Sequence, residues 1–166
     1  MNESNYSLPV VKDAPLPFRM PDWIALAPFE IYLGMNIDEA ADGRAVLSMP
    51  FRVAHCQGAG LMHGGAITSL ADTALAIAIK TLLPEGTHFA TIELSMQFKN
   101  PVRWGTIQGI AEVTERTERD ITGTVAIVDE DGITAAIFQA HFRVKRHRND
   151  SAPHVSPHTQ SHQNTL

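Results

Sequence analysis

The chain has 166 residues, 44% hydrophobic and 19% charged, with a formal net charge of -5. These values fit one globular domain with a sizeable core, and they argue against a general nucleic-acid or anionic-membrane surface, so any phosphate recognition must be local. The only cysteine, Cys56, excludes an internal disulfide and a zinc site of several thiolates, and fits a cytoplasmic location.

Residues 1–21 are proline-rich and aperiodic, and read as a flexible N-terminal arm, ordered only where it lies on the body. They lack the basic and continuous apolar regions of a secretion signal. The longest apolar run, ALAIAI, is far short of the roughly 20 residues a membrane-crossing helix needs, so no membrane partner is expected.

The body, residues 22–146, opens with a short helix around Asp22 to Ala27 and strands near Glu30 to Ile37 and Arg44 to Met49. A loop leads into a long helix, Gly64 to Leu83. In ATIELSMQF the alternation of Ile92, Leu94, Met96 and Phe98 with Glu93, Ser95 and Gln97 predicts a half-buried strand, ended by Asn100-Pro101. TIQGIAEVTERTE, DITGTVAIVDE and, beyond the turn DEDG, ITAAIFQAHFRVK follow as strands. These four segments read as an antiparallel meander. One helix set among strands gives an α+β class, and a strongly twisted sheet curled around that helix would bury most of its circumference. Residues 147–166 read as a disordered tail, in which irregular spacing favours solvated His147, His154, His158 and His162 over a metal site. His55 and His63 lack a recognised ligand spacing and a nearby acidic cluster, so no metal or other cofactor is expected.

The stretch LMHGGAITSLADTALAIAIK poses the functional question. Between His63 and Ile79 its only formal charge is Asp72, in a helix apolar nearly all round, where an unpaired carboxylate is costly. Either hydroxyls of Thr68, Ser69 or Thr73 satisfy it structurally, or it does chemistry as a base or nucleophile. His63-Gly64-Gly65 is likewise open to two readings. It is a tight turn into the helix, or a place where free amides and the helix dipole polarise a ligand carbonyl. Gly64 and Asp72 lie eight residues apart, roughly 12 Å along one helix, too far to flank one reacting carbon. If both serve one site, a two-fold dimer must bring Gly64 of one copy to Asp72 of the other.

HGGAITSLADTA resembles the signature of the hotdog-fold acyl-CoA thioesterases, especially the phenylacetate-degradation (PaaI-like) group, and ATIELSMQFKNPVRWG resembles the strand and turn that follow it. The likeness spans roughly residues 28–146. It implies an antiparallel sheet wrapped around one central helix, a homodimer or dimer of dimers, and acyl-CoA as substrate, hydrolysed with water. It implies that Gly64 binds the thioester carbonyl, that His63 shapes the site, and that Asp72 of the partner copy is nucleophile or general base. Thr91 falls where relatives carry a Ser or Thr near the water or carboxylate; Gly65, Thr91 and Thr73 are the candidate substrate-binding residues. Gln57 departs from the pattern: the group often has asparagine there, whereas a sister branch acting on aromatic acyl-CoAs has glutamine but pairs it with a catalytic glutamate. Lys99, Arg103, Lys145 and Arg146 are candidates for the coenzyme phosphates. Met35, Phe51, Leu61, Met62 and Trp104 either line an acyl pocket or pack the core, the latter preferred. A non-catalytic acyl-CoA-binding or regulatory module is the alternative, disfavoured because a carboxylate beside an anionic ligand adds little to binding.

Overall fold

A computed structural model describes residues 10–16 and 18–145, so the tail at 147–166 with its four histidines, and Arg146, lie outside the described residues. The elements run α1 (Pro28–Tyr32), β1 (Asn36–Ala41), β2 (Arg44–Pro50), a 3-10 turn (Val53–His55), α2 (Gly64–Lys80), β3 (Phe89–Phe98), β4 (Thr106–Arg116), β5 (Asp120–Val128) and β6 (Thr134–Val144).

The first helix forms later than expected. No helix occupies Asp22 to Ala27, because Pro28 stands at the first helical position, where its fixed φ is preorganised and its missing N–H unneeded. Gly34, at φ +72, then closes α1 in the left-handed conformation that glycine adopts freely. Helix therefore occupies Glu30 to Tyr32, and the strand expected from Glu30 begins only at Asn36. The long helix ends at Lys80 rather than Leu83: Thr81 caps it, its hydroxyl donating to the Ala78 carbonyl and accepting from the Gly43 N–H.

All six strands form one antiparallel sheet in the order β1-β2-β4-β5-β6-β3. The meander is therefore confined to β4, β5 and β6. Its expected first member, β3, lies at the far edge beside β6, while β4 pairs with β2 on the other side. The helix causes this separation: α2 lies across β2, β4 and β5, and the chain leaving it returns beyond β6. Leu47, Met49, Ile107, Val125, Ile127 and Phe138 meet Leu70, Ala74 and Leu75 in the core. The helix is not buried all round. Thr68, Ser69, Asp72, Thr73, Ala76 and Lys80 form a half-buried stripe along the face the sheet leaves open. It is too short to cross a membrane, and no other helix among the described residues is long and apolar enough.

Strand β3 breaks the alternation read from its sequence. Its register against β6 is Thr91 to Phe142, then Glu93 to His141 and Leu94 to Ala140, which makes Ile92 the extra residue of a β-bulge. Ile92 therefore does not share a buried face with Leu94, Met96 and Phe98 as expected. Thr91 shares theirs instead, on the helix side of the sheet. The outer half of that face extends past α2, so Leu94 and Phe98 are about half exposed (47% and 56%) rather than half buried against the core, and Ile92 at the bulge is 51% exposed.

Close approach of α2 to the sheet depends on Gly123. A Cβ there would collide with the Leu75 side chain and stand 2.7 Å from the Glu112 carbonyl oxygen, a backbone atom that cannot swing aside. Gly123→Ala is expected to destabilise the fold by about 2–3 kcal/mol through overpacking. A lowered denaturant midpoint with unchanged slope checks this; an unchanged midpoint contradicts it.

Candidate active site

The start of α2 is built by a loop that folds back on itself. The His63 N–H donates to the His55 carbonyl at 2.7 Å, and Cys56 and Met62 bridge in antiparallel fashion. His63 stays extended (φ -65, ψ 133) and is the N-cap, its Nδ1 accepting from the Gly65 N–H at 2.8 Å. The Gly65 amide is thereby spent within the cap. The Gly64 amide, first of the helix, meets no acceptor among the described residues.

Gly64 opens into a cavity of about 350 Å³ lined by Gln57, Leu61, Met62, Ile67, Phe98 and Val102, with Lys99, Asn100 and Pro101 at its rim. A Cβ on Gly64 would stand 3.0 Å from the Phe98 ring, so the strand-edge aromatic packs close to the start of the helix. The Gln57 Oε1 accepts from the Ala59 N–H at 2.6 Å, which leaves its NH₂ as the donor that can reach a ligand.

Further along α2, Asp72 is half buried. Two of the three hydroxyls expected to satisfy it locally are engaged elsewhere: Thr68 donates to the Gly64 carbonyl and Ser69 to the Gly65 carbonyl. Thr91 instead donates to Asp72 Oδ1 at 2.9 Å, aimed there by the Ile92 bulge. Burial pushes the Asp72 carboxyl above the ordinary carboxylate range; the Thr91 hydrogen bond opposes this and the negative charge of Glu30 adds to it. Thr73, next to Asp72, is half buried on the same stripe.

Within one chain, the structure brings Gly64 and Gln57 to one cavity and Asp72 and Thr91 to a second position that does not line it. Of the basic candidates, only Lys99 borders the cavity. Arg103 lies in a separate small cleft with Asp129, Glu130 and Asp131, and Lys145 is exposed. Met35 is core; Met62 is both buried and cavity-lining; Leu61 lines the cavity; Phe51 packs against the core; Trp104 is exposed. Phe98, Asn100 and Glu30 were not anticipated at the site. Phe98 carried an ordinary strand signal, Asn100 an ordinary strand-end signal, and Glu30 lies in a segment read as strand. A further cavity of about 360 Å³, lined by Thr122, Gln139 and His141 among others, contains neither Gly64 nor Asp72.

A family model described as the Thioesterase superfamily matches residues 59–136, which include His63, Gly64, Asp72 and Thr91. A protein of Halobacterium salinarum named "Putative esterase" is 30% identical over 131 residues, covering 69% of this chain and 83% of its own. The chain belongs to the thioesterase superfamily. Among solved structures, this thioesterase-superfamily chain is similar to the phenylacetic acid degradation protein PaaI of Thermus thermophilus, with 28% identity and a TM-score of 0.66 over 70% of this chain and 98% of that one. It is similar also to the PaaI protein from the E. coli phenylacetic acid degradation operon, with 25% identity and a TM-score of 0.67 over 72% of this chain and 86% of that one. The six-stranded antiparallel sheet on one long helix is the hotdog fold, and the chain is a hotdog thioesterase of the PaaI type.

Proposed function

We propose that this protein is an acyl-CoA thioesterase working as a homodimer or a dimer of dimers, each site combining Gly64 and Gln57 of one copy with Asp72 and Thr91 of the other. The observation that carries this reading is the unspent Gly64 amide at an apolar cavity, with a destabilised carboxylate about 12 Å away along the same helix. The edge strand β3 supports it, since Ile92, Leu94 and Phe98 leave apolar surface beside unpaired backbone for a second copy.

In this reading the Gly64 N–H, at the positive end of the α2 dipole, binds the thioester oxygen and stabilises the charge it gains. Thr91 holds Asp72 Oδ1, and the other carboxylate oxygen takes a proton from the attacking water or attacks the acyl carbon itself. The carbon–sulfur bond breaks, coenzyme A leaves as its thiol and the acyl group as free acid. Leu61, Met62, Ile67 and Phe98 hold the acyl group, aromatic or medium-chain, with the link of the PaaI relatives to phenylacetic acid degradation favouring the aromatic class.

The test is free-thiol release from a panel of aromatic and medium-chain acyl-CoAs. Turnover of at least one supports the reading; tight binding across the panel without thiol release replaces it with the binding-module alternative. Gln57→Ala is expected to lower kcat/KM about tenfold, the usual cost of losing one oriented hydrogen bond. Unchanged turnover in that variant removes Gln57 from the site.

A further inference from the structure

Among the described residues, His55 is the one buried polar or charged residue, 4% exposed. An imidazole removed from water is costly unless its ring nitrogens find partners. Here Nδ1 stands 3.1 Å from the carbonyl oxygen of Pro50, the last residue of β2. A carbonyl only accepts, so Nδ1 carries the proton and donates it to the end of the strand. From this anchor the chain runs into a small hairpin. The His63 N–H donates to the His55 carbonyl at 2.7 Å, the Gln57 N–H donates to the Leu61 carbonyl at 2.8 Å, and Cys56 and Met62 bridge between the two arms. The second arm is tied to the body by the Met62 N–H, which donates to the Val102 carbonyl at 2.9 Å. The hairpin carries Gln57, Leu61 and Met62 to the cavity and delivers Gly64 directly after His63, whereas His55 itself does not line the cavity.

Resting on the hydrolytic reading above, we propose that His55 is a positioning residue for the Gly64 amide: its ring pins the hairpin to the end of β2, and its carbonyl pins His63, the residue on which that amide follows. One residue thus joins the sheet to the start of α2 through two hydrogen bonds, one from its side chain and one to its backbone. Losing the side-chain bond frees the first arm of the hairpin while the second arm stays tied at Val102. The Gly64 N–H then turns away from the place where a thioester oxygen gains charge, and a small misplacement of such a donor is expensive.

The experiment compares His55→Phe, which fills the space without a donor, with His55→Asn, whose amide N–H stands where Nδ1–H stands. His55→Gln, with its amide at the place of Nε2, loses the same bond and replaces the phenylalanine variant if that one does not fold. In thiol-release assays the variant without the bond is expected to lose about 10- to 100-fold in kcat with KM within about threefold of wild type, and His55→Asn to recover kcat to within about threefold. Combined with Gly64→Pro, which has no amide left to position, the loss of the His55 bond is expected to change kcat by less than about twofold. The Gly64 amide is followed independently by NMR of glycine-labelled (nitrogen-15) protein, its signal assigned by its absence in Gly64→Pro. That signal is expected to move in the variant without the bond and to return in His55→Asn. A merely structural His55 lowers the melting temperature, leaves the Gly64 signal in place and costs the same factor with or without the Gly64 amide; either of the last two results overturns the proposal. If the signal moves and returns as expected while the wild type releases no thiol from any acyl-CoA, the hydrolytic reading fails and the positioning of the amide by His55 stands.

Discussion

Asp72→Asn is expected to slow thiol release by about 10³-fold or more while acyl-CoA still binds, since asparagine preserves the shape and the Thr91 contact but can neither accept a proton nor form an acyl bond. The same variant is expected to melt higher than the wild type near neutral pH. Burial raises the folded-state value of Asp72 above its unfolded value, so its contribution to stability is full below the unfolded value and is lost as pH rises through the folded one. Asparagine never ionises and escapes that loss. The gap in melting temperature therefore closes on acidification below the ordinary carboxylate range. A structural aspartate gives the opposite pair of results, lower stability with turnover retained, and thermal melts beside thiol assays across pH decide between them.

The second large effect is expected at Gly64, whose contribution comes from a backbone N–H that side-chain replacement cannot reach. Proline removes it directly. Residue 64 is the first of the helix, where proline is tolerated, and His63 before it already holds the extended conformation that a following proline requires. The ring must displace Phe98, a side chain free to give way at the sheet edge. Gly64→Pro should therefore fold and lose about 10²–10³-fold in kcat, the usual cost of one oxyanion donor. Mixing it with Asp72→Asn then tests the shared site. If subunits exchange, half the sites in each mixed dimer combine an intact Gly64 with an intact Asp72, and about a quarter of wild-type activity returns. Mixtures that stay inactive after exchange has been verified rule out a site built across two copies.

Much of the architecture was legible in the residues. The apolar run from Ala66 to Ile79, the β-branched strands and the DEDG turn each carry a local signal that the fold obeys. Three features were not. Placing β3 beside β6 depends on where α2 sits on the sheet, which no stretch of sequence encodes alone. The shift of α1 turned on Pro28, readable in principle, but outweighed by the apolar residues around it. At the site, HGG and the later aspartate were open to structural readings until the family resemblance gave them roles, and the free Gly64 amide and the engaged Gly65 amide are told apart only by the direction of the His63 ring.

The bulge in β3 makes Ile92 a spare residue. Deleting it leaves Thr91, Glu93 and Leu94 opposite Phe142, His141 and Ala140, an unkinked ribbon in which no neighbour turns over. Deleting any residue between Leu94 and Phe98 instead inverts the side chains lying between the gap and the bulge, putting Glu93 inward. Length variation among related chains is accordingly expected at position 92, where losing a residue alters only how the Thr91 hydroxyl is aimed.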